Sequence, residues 1–130
     1  MHKIFLITAA LLGGFAVLLG AFAAHQLKTL VSADVLLIFE TAVKYQMYHA
    51  LALLATGILY QQFPVKQLHL AGNLFIAGII LFSGSLYLLC FFKHQHIAAL
   101  WVGAVTPFGG LCFIAGWLLL ALGIAKKTTG

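Results

Sequence analysis

The sequence predicts an all-α fold, an integral membrane four-helix bundle with a kinked fourth helix, and three observations carry that prediction. First, 64% of the 130 residues are apolar and only 7% are charged, where a soluble domain carries about 25% charged residues. Seven lysines and two acids cannot cover the surface of a soluble chain of this size. Second, the mean hydropathy is +1.13, far from the polar composition of a disordered segment. Third, the apolar residues fall into four stretches bounded by lysine, histidine or proline. Crossings of about 20 residues each occupy most of the chain, so 1–130 reads as a single transmembrane domain with short connections and no room for a soluble one.

The first span runs over 4–24 without a charge, between His2 and Lys3 on one side and His25, Gln26 and Lys28 on the other. A cleavable signal is the competing reading, since Ala21-Phe22-Ala23 resembles a cleavage site. The apolar run Ile4–Leu19 exceeds the usual length of such a leader, so the span is read as retained. The second helix starts near Ser32, which with Asp34 suits a helix N-terminus. Its interfacial start covers about 33–41, and its span covers 42–62, closed by Pro64. Glu40 and Lys44 stand i,i+4 in the favourable order, which supports helix there and reads as an interfacial pair. The third span covers 68–92 and the fourth 97–124, ended by Lys126 and Lys127. Thr106-Pro107-Phe108-Gly109-Gly110 interrupts the fourth. Pro107 removes one backbone hydrogen bond and crowds the Gly103 carbonyl, so a kink is expected, with enough helix on both sides to cross.

A net charge of +5 does not make a nucleic-acid surface, because the lysines are scattered where such a surface needs a basic face. In the positive-inside count, Lys3, Lys66, Lys126 and Lys127 outnumber Lys28, Lys44 and Lys93. Both termini are therefore expected in the cytoplasm. Cys90 and Cys112 fall inside spans without metal-ligand spacing and read as small core residues. Small residues recur four apart, as in Ala9/Gly13, Ala10/Gly14 and Ala16/Gly20, and read as close packing within the bundle. His94 and His96 read as a loop pair.

Four alternating spans put the first and third connections on one side. The polar residues near them therefore share a leaflet, while the opposite leaflet holds little beyond Thr8, Thr56, Tyr60, His69 and Asn73. From this one-sided set the expected ligand-binding residues are His25, Tyr45, His49, Ser83, Ser85, Tyr87 and Thr106. Intramembrane ionisable residues are costly and mark cavities or pathways, which makes His49 the sharpest member. Thr41, Tyr45, Tyr48, His49, Ala52 and Thr56 fall on one helical stripe, expected to face inward. Each residue also has a plainer reading. His25 suits a wet helix end. Tyr45, Tyr48, Tyr60 and Trp101 suit an aromatic belt. The serines and Thr106 suit bonding to their own helix carbonyls. No H-E-x-x-H, G-x-S-x-G or phosphate loop occurs, and Asp and Glu occur once each, so no catalytic residue and no metal site is expected.

Four ordered motifs carry a family resemblance: Gly20-Ala21-Phe22-Ala23-Ala24-His25-Gln26-Leu27, then Thr41-Ala42-Val43-Lys44-Tyr45-Gln46-Met47-Tyr48-His49-Ala50-Leu51, then Phe82-Ser83-Gly84-Ser85-Leu86-Tyr87, and Thr106-Pro107-Phe108-Gly109-Gly110 followed by Gly116-Trp117. Together they resemble the domain-of-unknown-function 423 family of small inner-membrane proteins, similar also to animal transmembrane protein 256. Ala23 departs from the family pattern, which has Gly there. The resemblance implies a multi-span membrane protein and brings no reaction, ligand or catalytic residue. The preferred functional expectation is a polar pocket that binds or passes a small molecule, lipid or ion, without a cofactor. The alternatives are a structural or accessory subunit of a larger membrane complex, and a haem- or quinone-linked redox protein using His25 and His49. The expected partners are the lipid bilayer and a further membrane protein or second copy.

Overall fold

The computed structural model describes residues 1–129, with side chains as far as Lys126. The side chain of Lys127 lies outside the described residues. Four helices follow in order, and no strand occurs among the described residues. Helix α1 covers Lys3–Leu30, α2 covers Ala33–Leu59, α3 covers Lys66–His94 and α4 covers Leu100–Thr129. Helices α1, α3 and α4 are long and apolar enough to cross a membrane. Helix α2 is not among them, because Lys44, Gln46 and His49 lie in its middle turns. Ser32 caps α2 as expected, its Oγ accepting from the Val35 N–H at 3.4 Å. At the start of α1, His2 Nδ1 accepts from the Phe5 N–H at 3.3 Å.

Two helices contain a widened π turn that nothing in the sequence announces: Ala23–Leu27 in α1 and Ile79–Ser83 in α3. At Thr106–Gly110 α4 remains helical, with Pro107 inside it. Gly103, whose carbonyl the proline ring approaches, has open space around it. Gly109 has a different task. A Cβ there would collide with the backbone of Leu81 and Phe82, so glycine lets α4 cross directly over the π turn of α3.

Helices α1 and α2 are antiparallel neighbours. The His2 N–H donates to the Gly57 carbonyl at one end, at 2.9 Å, and Ala23 packs with Val35 and Phe39 at the other. The buried positions of α1 include Phe5, Ala9, Ala16 and Ala23. Those of α2 include Val35, Phe39, Ala42, Gln46, His49, Leu53 and Thr56. The alternating spacing of four and three is a coiled-coil seam, and alanine every seventh residue brings the two backbones close. Of the inward stripe expected for the second helix, His49, Ala52 and Thr56 are buried, while its tyrosines are not. The seam passes through Gln46, while Tyr45 and Tyr48 are 39% and 55% exposed. Helix α3 packs on both α2 and α4. One apolar cluster gathers around Phe5, Leu53, Leu68 and Phe75, a second around Val35, Phe39 and Cys90. Between them, along α2 from Ala42 to His49, lies a polar layer.

Candidate functional site

The polar layer is a set of bonds between helices. Tyr87 on α3 donates its hydroxyl to Gln46 Oε1 at 2.7 Å, and Gln46 Nε2 donates to the Leu12 carbonyl of α1 at 2.9 Å. One glutamine thus joins three helices, and both its amide atoms are satisfied. Ser83, fully buried on the π turn, donates to the Ala42 carbonyl at 2.8 Å. Ser85 Oγ donates to its own helix at Phe82, 2.9 Å away, and lies 2.6 Å from Thr106 Oγ1 of α4. With the Ser85 proton engaged at Phe82, Thr106 is the donor in that pair. Cys90 Sγ lies 3.4 Å from the Val35 carbonyl.

His49 is held on three sides. Its Nδ1 lies 2.8 Å from the Tyr45 carbonyl, a contact that requires a proton on Nδ1. Its Nε2 accepts from Trp117 Nε1 of α4 at 3.1 Å. The bonding pattern therefore fixes a neutral Nδ1–H tautomer. The ring also stacks on Phe113 with centroids 3.5 Å apart and planes within 8°. No lone pair is left for a metal, so His49 as it stands cannot ligate haem iron, with His25 or without it. His25 is exposed on the π turn of α1, away from the polar layer. Among the described residues no group of three or more His, Cys, Asp or Glu side chains is placed to hold a metal ion. Glu40 is half-buried and Lys44 exposed, and both border a shallow groove beside Gly20 and Ala23.

Of the seven expected residues, Ser83, Ser85, Tyr87, Thr106 and His49 are therefore joined pairwise across helices. Gln46 and Trp117, absent from that set, are the partners that complete it. Gln46 was findable as the position seven after Phe39 and three before His49 on a 3.5-residue seam. Trp117 carried no local signal, since its role depends on α4 lying against α2.

On the α4 side of His49 lies a groove of about 530 Å³, bordered by Tyr45, Tyr48 and His49 of α2, Phe82 of α3, and Gly110, Phe113, Ile114 and Trp117 of α4. Its walls are overwhelmingly apolar. The Tyr45 ring stands edge-on to Phe82 with centroids 4.7 Å apart, and the Tyr48 ring lies 5.8 Å from that of Tyr45. Neither phenol hydroxyl has a hydrogen-bond partner among the described residues. Their depth makes this costly. Phe82 is sixteen residues from Lys66 and twelve from His94, and Phe113 is thirteen from both Leu100 and Lys126. At 1.5 Å per residue, the groove lies about 18–24 Å from the ends of these apolar helices. Tyr45 and Tyr48 therefore stand beside the middle of the two apolar helices α3 and α4. The bonded Ser85, Tyr87 and Thr106 stand nearer the connection between α3 and α4, with Tyr87 seven residues from His94 and Thr106 six from Leu100.

The family model described as "Protein of unknown function (DUF423)" matches residues 19–110, a stretch that takes in the π turns, the polar layer and most of the groove. The chain belongs to the DUF423 family. Relatives of this DUF423 protein match almost end to end. A UPF0382 membrane protein of Staphylococcus saprophyticus is 44% identical over 124 residues, covering 95% of this chain and 98% of the relative. UPF0382 membrane protein YwdK of Bacillus subtilis is 40% identical over 125 residues, covering 95% and 98%. A UPF0382 membrane protein of Haemophilus influenzae is 40% identical over 127 residues, covering 98% of each. No solved structure matches the chain. These relatives and three apolar helices of spanning length make this DUF423 chain an integral membrane protein, with the lipid bilayer around it.

Proposed function

We propose that the protein is a four-span bundle whose aromatic groove binds a membrane-soluble small molecule, and whose polar layer is the frame that holds the groove open. The observation that carries this reading is the pair of unpartnered phenols, Tyr45 and Tyr48, at mid-depth in an apolar groove of about 530 Å³. That volume falls within the usual range for small-molecule sites. A hydroxyl left unbonded in hydrocarbon is unfavourable, so an occupant with an acceptor group relieves a cost that the protein alone leaves standing. The residues expected from sequence to bind ligand then divide. Tyr45 and His49 border the groove, Ser83, Ser85, Tyr87 and Thr106 frame it, and His25 stands outside.

The crossing of α2 belongs to this proposal. Helix α2 is flanked by α1 and α3 along its length, from the Val35–Cys90 contact to the His2–Gly57 bond, which supports a fourth crossing despite its polar middle. The lysine count supports termini in the cytoplasm of a bacterial cell, and the membrane is then the cytoplasmic one. The test is melting of delipidated protein in detergent with and without added bacterial lipid extract. Wild type should melt higher with extract, while Gly110→Leu, which fills the groove where a Cβ has no neighbour closer than 4.0 Å, should not respond. Equal responses of the two proteins would remove the groove as the site.

A further inference from the structure

We infer that the occupant of the groove is a carbonyl-bearing, ring-headed isoprenoid of the quinone class; this rests on the reading of the groove as a binding site. Three constraints select that chemistry. The first is depth. The headgroup layer lies about 15 Å from the middle of the hydrocarbon, so a phospholipid cannot place its charged head beside Tyr45 and Tyr48 while its tails remain in register. A molecule whose only polar atoms are two ring carbonyls can.

The second constraint is hydrogen-bond polarity. Both His49 nitrogens are occupied, one at the Tyr45 carbonyl and one at the Trp117 indole. The only free hydrogen-bonding groups bordering the groove side by side are the two phenols, which can each donate to a carbonyl oxygen. No charged side chain borders the groove, so a carboxylate or phosphate would lie there uncompensated. The third constraint is shape. Phe113 lies stacked on His49 and parallel to Tyr45 within 16°, with centroids 6.4 Å apart. Flat aromatic faces next to an opening of this size suit a planar ring, and the remaining apolar wall suits an isoprenoid or alkyl tail running along α4.

The groove contains its own reporter. The chain has two tryptophans, and Trp117 borders the groove while Trp101 borders a separate hollow between α3 and α4. In a Trp101→Phe background, Trp117 emission is followed while a decyl-substituted dimethoxy-methyl-benzoquinone is added to protein in nanodiscs. Quenching should saturate, and Tyr45→Phe/Tyr48→Phe should raise the half-saturating concentration about tenfold, the scale of a lost hydrogen bond. Gly110→Leu should abolish saturation. A decyl-substituted arene without carbonyl oxygens should fail to displace the quinone. If the arene displaces it equally well and the tyrosine variant binds like wild type, the quinone assignment falls and the groove stands as a site for apolar lipid. If quenching is linear and identical in all variants, while lipid extract still raises the melting temperature of wild type alone, the quinone is excluded and the binding site survives. If neither response depends on Gly110, both readings fall together.

Discussion

On α2, Gln46 and Tyr48 stand two residues apart at the same depth, and the fold treats them in opposite ways. Gln46 lies on the seam, with its oxygen bonded to Tyr87 and its nitrogen to the Leu12 carbonyl. Tyr48 lies on the flank, 55% exposed, with its hydroxyl unbonded. The difference separates two uses of polarity inside a membrane. Bonded groups hold helices in register, and removing one weakens the bundle. Unbonded groups contribute nothing to the bundle, and removing one leaves it standing while changing what it can hold.

Four sets of substitutions test that division, taken from the largest effect to the smallest. Gly109→Leu should cost about 3 kcal/mol or more, because its Cβ meets backbone at Leu81 and Phe82. Loss of a monodisperse peak after mild heating in detergent is the readout, and wild-type behaviour would remove the close crossing. His49→Ala should cost about 2–4 kcal/mol through the vacated stack on Phe113 and the orphaned Trp117 indole. His49→Phe, which keeps the stack, should cost about 1 kcal/mol. Equal unfolding of the two variants would show that stacking carries none of the difference. Gln46→Leu should cost about 1 kcal/mol, the scale of interhelical hydrogen bonds in membranes. In a double-mutant cycle with Tyr87→Phe the losses should be less than additive, and strict additivity would deny the bond. Tyr45→Phe and Tyr48→Phe should shift stability by no more than about 0.5 kcal/mol while weakening the response to ligand. A destabilisation matching that of Gln46→Leu would mean that the phenols are bonded after all and erase the contrast.

Much of this arrangement is legible in the sequence. The apolar runs locate α1, α3 and α4 to within a few residues, Ser32 marks the start of α2, and His49 and Ser83 stand out as polar groups inside the membrane. What is lost is phase. On a helix that is apolar nearly all round, stripes offset by one residue score alike, and the pattern favours Tyr45 for an inward position that belongs to Gln46. The π turn at Ile79–Ser83 has no sequence mark, since its extra residue is required only by the crossing of α4. The Thr106–Gly110 motif is visible for its proline, while the backbone approach at Gly109 shows only in the packing. His25 belongs to a recognisable motif, yet the local pattern cannot show that its side chain lies outside the bonded layer.

Val31 and Ser32 alone separate α1 from α2, and this brevity has a consequence for how the protein is made. A segment with Lys44, Gln46 and His49 at its centre partitions poorly into lipid on its own. Helix α1 precedes it into the insertion machinery and carries no charge from Ile4 to Ala24. In the proposed four-span bundle, two linking residues make α2 follow folded back against α1, which brings the alanine seam and the Leu12 carbonyl beside Gln46 as it enters. The two helices are in this sense one unit of biogenesis, in which the first acts as a chaperone for the second. A lesion in the α1 seam should then appear as failed insertion of α2 before it appears as lowered stability.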